Sequence, residues 1–187
     1  MTTTYETAHA ILEELDDVLR RVDEAEVTKL CDALLGARLI SCFALGREGL
    51  ALRGFAMRLM HIGFNVAMVG DVTAPPVGKG DVFLVACGPG RLATTEALAA
   101  IARRDGATIV VVTAQPGAPL PGSADVALTI PAQTLADDRG GAGGSRQAMG
   151  SAFEQGMWLL FDALVPRLQA ARGQSLDDLR RRHQNLE

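Results

Sequence analysis

Five short apolar runs, spaced so that a helix fits between most of them, constrain this chain more than any other feature. They are Arg38 to Leu45, Asn65 to Val69, Val82 to Cys87, Thr108 to Thr113 and Val126 to Ile130. Each is apolar throughout instead of alternating, which is the pattern of a strand covered on both faces. A parallel sheet between two helical layers follows. Arg47 to Ile62 and Arg91 to Arg104 have helical periodicity and supply two crossovers, whereas the Pro- and Gly-rich stretch Gln115 to Asp125 reads as a loop between the fourth and fifth strands. With strand order 2-1-3-4-5, the first and third strands are neighbours, and the crevice at their carboxyl ends is where such open sheets bind ligands.

Two helices precede the sheet. Ala8, Ile11, Leu12, Leu15, Val18, Leu19 and Val22 recur at helical spacing between Tyr5 and Val22, and Val27, Leu30, Cys31, Leu34 and Leu35 do so between Glu24 and Gly36. The spacing predicts an N-terminal helical hairpin. Ser151 to Ala171 is apolar nearly all round, so it is expected to be buried on both sides, within the domain or in an interface. The glycine-rich stretch Asp137 to Gly144 is a lid or an unstructured connector, and the tail from Ser175 to Glu187 contains a charged helix that lies on the surface or reaches a neighbour.

The 187 residues suit one domain, and the formal charge of -4 with a pI near 5.4 gives no basic field for nucleic acid or an anionic membrane. Cys31, Cys42 and Cys87 form an odd set without ligand spacing, which predicts neither disulfides nor zinc and suits a reducing cytosol. The acidic opening is unlike a signal peptide and no apolar run is long enough for a bilayer, so a cytoplasmic location is expected.

Glycine loops follow the first and third strands: Gly46-Arg47-Glu48-Gly49 and Gly88-Pro89-Gly90-Arg91. Helix N-termini beside glycines suit a phosphate or sugar, although each loop alone could be a tight turn. Gly88, Gly90 and Ala93 match G-x-G-x-x-A, but the acidic residue that a nicotinamide site needs at the end of the next strand is replaced by Thr113-Ala114-Gln115. No cofactor and no metal are predicted. Met149 and Gly150 precede Ser151 and Glu154, whose spacing fits a capping box at the start of the long helix. His61 ends a helix and His183 stands in the polar tail.

Four segments, Arg53 to Val66 (RGFAMRLMHIGFNV), Pro75 to Asp81 (PPVGKGD), Met149 to Gln155 (MGSAFEQ) and Arg181 to Glu187 (RRHQNLE), occur in this order along nearly the whole chain. In them the chain resembles the sugar isomerase (SIS) domain family, specifically the 6-phospho-3-hexuloisomerases. The resemblance implies a SIS fold, a homotetramer and interconversion of 3-hexulose 6-phosphate with fructose 6-phosphate in the ribulose monophosphate route. It also implies that Glu154 is the base, that His183 reaches a neighbouring subunit's site, and that His61 matches a family position. Substrate would be held by Gly46, Arg47, Glu48, Gly49, Cys87, Gly88, Pro89, Gly90, Arg91, Met149 and Gly150.

The departures fall on the phosphate loops. Glu48 stands where the family's G-R-S-G has serine, and Cys87, Pro89 and Leu92 replace three hydroxyl residues of S-G-S-G-x-T. At ~4 Å and an effective dielectric of ~20, a carboxylate and a phosphate charge repel by roughly 4 kcal/mol. Arg47 and Arg91 are the compensators, or Glu48 pairs with one of them and points away. Two other readings stay open: an isomerase of an unphosphorylated sugar, and a non-catalytic SIS module that binds a sugar or a partner.

Overall fold

The computed structural model describes residues 2–137 and 144–186. Of the glycine-rich stretch Asp137 to Gly144, residues 138–143 lie outside the described residues. The sheet is formed by β1 (Ile40–Phe43), β2 (Val66–Met68), β3 (Val82–Ala86), β4 (Thr108–Thr113) and β5 (Val126–Thr129), all parallel, in the order β2-β1-β3-β4-β5. That is the order the sequence predicts. Ile40 stands beside both Val66 and Val82, so β1 and β3 lie side by side at the centre of the crevice.

The helices are α1 (Thr4–Arg20), α2 (Glu24–Leu35), α3 (Gly46–His61), α4 (Ala93–Arg104), α5 (Pro119–Gly122), α6 (Ser151–Ala171) and α7 (Leu176–Arg182). Thr3 starts α1 with a capping box to Glu6, and Asp23 caps α2 through the Ala25 N–H at 2.8 Å. Within the loop expected at Gln115 to Asp125 the structure has a single helical turn, α5. Pro119 at its first position presets the helical φ and Leu120 buries beneath β4, which together outweigh the surrounding glycines.

The two faces of the sheet carry unequal cover. Ile40, Cys42, Leu84, Val110, Val112 and Leu128 pack beneath α1, α2, α3 and α6, while Phe83, Val85, Ile109 and Val111 face only α4 and α5. Alternation of side chains along each strand sends them to two different cores. On the larger face Phe55 of α3 stacks on Phe161 of α6, centroids 4.3 Å apart and planes 8° from parallel. Truncating either ring to alanine would cost roughly 3–5 kcal/mol, because both are fully buried.

This packing sets α3 and α6 side by side in the same direction: Arg47 meets Ser151 near their starts, Gly54 lies under the Trp158 indole, and Phe55 meets Phe161. Both N-termini therefore open at the carboxyl ends of the strands. The outer side of this pair is not covered: Leu50, Met57 and Met60 of α3 and Trp158 and Leu159 of α6 are exposed in the single chain. The inner side of α6 is buried within the domain, and its outer side is the part of the expectation that concerns an interface. The tail helix α7 folds back on the far end of α3, where Arg182 donates to the His61 carbonyl at 3.0 Å and Arg172 to that of Gly63 at 2.8 Å. Among the described residues no helix is long and apolar enough to cross a membrane.

Candidate active site

The first loop enters α3 through Gly46, whose φ of 57° is left-handed backbone that glycine adopts without strain. Leu45 at the N-cap makes no side-chain hydrogen bond, so the helix starts without a cap of its own. The next two side chains then leave in different directions. Arg47 reaches to α6, with Nη1 at 2.9 Å from Ser151 Oγ and 2.8 Å from Glu154 Oε2. The approach to Glu154 lies outside hydrogen-bond geometry, so that contact is ionic. Glu48 crosses the crevice instead, and both of its carboxylate oxygens accept from the Gly88 N–H at 3.1 Å.

The capping box predicted for Ser151 and Glu154 does not form. Met149 and Gly150 are both left-handed, with φ of 59° and 81°, so Gly150 becomes the N-cap and Ser151 is already helical. Its hydroxyl meets Arg47 and Glu154 is released toward the crevice. Any side chain at Gly150 would place Cβ 3.0 Å from the Leu135 amide nitrogen, so this turn needs glycine on two counts. Glu154 is half-buried, and burial raises its carboxyl above the ordinary range while Arg47 opposes that rise.

The second loop differs from the expected anion cradle. Pro89 has no N–H, the Gly90 N–H is used by the Cys87 carbonyl at 2.9 Å, and that of Gly88 is held by Glu48. Glu48 is thus neither free in the pocket nor paired with Arg47 or Arg91; its partner is a backbone amide. Burial, and secondarily the charge of Glu154, push its carboxyl up to about 7 against the opposing effect of the Gly88 N–H. Cys87 is fully buried, and burial together with neighbouring Glu48 lifts its thiol to about 11, so it is a neutral thiol at physiological pH. The Arg91 side chain is exposed, and its backbone N–H is turned to the Cys87 thiol.

Two supporting residues escape sequence reading. Buried Thr113 at the end of β4 donates to the Gly88 carbonyl at 3.2 Å and accepts from the Gln115 N–H at 3.1 Å, which orients the loop. Phe153 lies beneath Gly88, where a Cβ would sit 2.9 Å from the ring and 2.7 Å from Glu48 Oε1. Thr113 carried a signal, since it ends the strand beside β3; the position of Phe153 depends on α6 and carried none.

His61 and His183 are brought together, but elsewhere. Their rings stack with centroids 5.1 Å apart at the far end of α3, and fourteen residues of helix at 1.5 Å each place His61 about 21 Å from Arg47. Within one chain neither meets Glu154. Among the described residues no group of three His, Cys, Asp or Glu is arranged to hold a metal ion. A cavity of about 230 Å³ adjoins the crevice, lined by Arg47, Leu50, Ala51, Glu154, Gln155 and Trp158. Larger cavities, such as that between α4 and α5, contain none of the crevice groups.

A parallel sheet in this order, glycine loops after β1 and β3, and a half-buried glutamate at the head of the helix packed on α3 together define an open α/β class with a ligand crevice at the carboxyl ends of its central strands. The chain belongs to the SIS domain family, which residues 33–155 match. It is 36% identical over 177 residues, 95% of this chain and 88% of the relative, to the 3-hexulose-6-phosphate isomerase of Mycobacterium gastri. To the protein of that name from Bacillus subtilis it is 32% identical over 184 residues, 98% of this chain and 99% of the relative. Among solved structures, a Methanococcus jannaschii protein inferred to function as a 3-hexulose-6-phosphate isomerase matches with a TM-score of 0.83 and 25% identity. That match covers 97% of this chain and 99% of the other.

Proposed function

We propose that this protein is a phosphosugar isomerase that interconverts 3-hexulose 6-phosphate and fructose 6-phosphate, with Glu154 as the base. The observation that carries the proposal is the Glu154–Arg47 pair at the mouth of the crevice, a carboxyl made more basic by burial with a cation 2.8 Å away that opposes the rise. In the forward step Glu154 takes the proton from C2, the C–H electron pair becomes the C2=C3 bond, and the C3 carbonyl oxygen gains a proton to give the enediol. Glu154 then returns its proton to C3 as the C2 hydroxyl loses its own and C2 becomes the carbonyl. Arg47 orients the carboxylate and stabilises negative charge on the enediol oxygens.

The proposal includes a homotetramer in the cytoplasm, serving formaldehyde assimilation by the ribulose monophosphate route. Exposed Leu50, Met57, Trp158 and Leu159 form an apolar surface that assembly would cover, and the cavity beside Glu154 opens onto it. If His183 or His61 takes part in proton transfer, it must come from another subunit, given its distance within the chain. Three buried, unbridged cysteines fit a reducing compartment.

Glu154→Gln tests the reading, because glutamine keeps the shape and cannot accept the proton. Turnover of fructose 6-phosphate is expected to fall by about 10²–10⁴-fold with an unchanged melting temperature. Equal turnover in variant and wild type would remove Glu154 from the chemistry. Light scattering should give about four chain masses, and a monomer at micromolar concentration would remove the assembly.

A further inference from the structure

Glu48 behaves in the crevice as a bound anion would. Its two oxygens share the Gly88 N–H, Pro89 has no amide hydrogen, and the Gly90 N–H is committed to the Cys87 carbonyl. The space beside the Gly88 Cα is filled as well, since a single added Cβ would meet Glu48 and the Phe153 ring within about 3 Å. A ligand phosphate entering this loop therefore meets a carboxylate already on its donor, next to a second carboxylate on Glu154. The cations do not cancel this: Arg47 is committed to Ser151 and Glu154, and Arg91 is out in solvent.

We propose that Glu48 is the specificity-determining residue of the crevice: it holds the Gly88 amide that an anionic ligand group would take, and so shifts preference from a phosphorylated sugar end toward an uncharged one. Phosphate enters by displacing the Glu48 side chain, whereas a sugar hydroxyl can donate to the carboxylate in place. Glu48 is three covalent rotations from a helix with an open N-terminus, so displacement needs a side-chain rotation and no backbone rearrangement. The inference rests on the reading of the crevice as the sugar site, and it makes this chain's selectivity depend on one carboxylate.

Calorimetric titration at pH 8 with fructose 6-phosphate, fructose and inorganic phosphate, on wild type, Glu48→Gln and Glu48→Ser, tests it. Glutamine removes the charge but can still occupy the Gly88 N–H; serine removes both. Fructose 6-phosphate and inorganic phosphate are expected to bind about tenfold more tightly to the glutamine variant and more tightly again to the serine variant. Fructose should change by less than about threefold. Phosphate affinities equal to wild type in both variants would overturn the assignment, as would an absence of binding by every probe to every form. Melting curves confirm that the variants are folded, and the two substitutions need not both fold for the comparison with wild type to stand. Tighter phosphate binding without turnover in any form would keep the assignment and sink the isomerase reading. Turnover in wild type with unchanged phosphate affinity in the variants would do the reverse.

Discussion

The two glycine loops resemble each other on the page and do opposite work in the molecule. The loop after β1 acts through its side chains: Arg47 and Glu48 leave adjacent positions of α3 and bind two different partners, one on α6 and one on the other loop. The loop after β3 acts through its backbone: Gly88 supplies a donor, Thr113 holds its carbonyl, and Cys87, Pro89 and Gly90 make the turn that positions it. Similar glycine spacing therefore conceals a division between a loop that reaches and a loop that receives.

The sharpest way to break this comparison is Arg47→Ala. If the first loop serves catalysis through that side chain, turnover should fall by about 10²-fold or more. The Glu154 carboxyl, with burial no longer opposed, should titrate higher, moving the acid limb of the pH–rate profile upward. An acid limb that stays in place would separate Arg47 from Glu154 functionally.

Next is the receiving loop. Gly90 combines φ of 67° with a neighbour that leaves no space, since a Cβ would lie 2.5 Å from Ala118 Cβ. Gly90→Ala is expected to cost about 2–4 kcal/mol in urea unfolding, the sum of left-handed strain and overpacking. A loss under about 1 kcal/mol would show that the turn adjusts and that its geometry is not what holds Gly88.

The link between the loops gives a smaller, pH-dependent effect. A carboxyl raised from 4.5 to about 7 binds its proton more strongly in the folded protein than in the unfolded chain. Wild type should therefore lose stability relative to Glu48→Gln as pH rises from 4.5 to about 7, with the difference constant above that. Glu154 and the Cys87 thiol both face this carboxyl, and Arg47 faces Glu154, so the midpoint belongs to the group as a whole. The expected difference is on the order of 2 kcal/mol, allowing for partial exposure of Glu48. Melting temperatures of both proteins across this range decide it, and parallel curves would remove the shift.

The smallest effect is expected at Gly46. Its φ of 57° resembles that of Gly90, but nothing lies within 4 Å of an added Cβ. Gly46→Ala should thus cost only the strain of left-handed backbone, about 1–2 kcal/mol, and clearly less than Gly90→Ala. Equal costs at the two glycines would mean that backbone strain, and not the crowding by Ala118, governs both.

What the sequence by itself determined is the sheet and the place where a ligand can enter. The apolar runs are strands because they can be buried on both faces, and the order 2-1-3-4-5 expected for such a sheet makes β1 and β3 neighbours. That puts the loops at Gly46 and Gly88 across one crevice before any side chain is positioned. Local rules went no further. The i, i+3 spacing of Ser151 and Glu154 satisfies a capping box, yet left-handed Met149 and Gly150 moved the cap by one residue and freed both side chains for Arg47. His61 and His183 carry the chemistry of a catalytic pair, but packing of α7 on α3 stacked them at the opposite end. Only the tertiary structure decided that Glu48 sits on the Gly88 amide, forty residues away in sequence. The physical reason is that burial and hydrogen-bond direction are set by which elements meet across the crevice, and charge and spacing along the chain contain no information about that meeting.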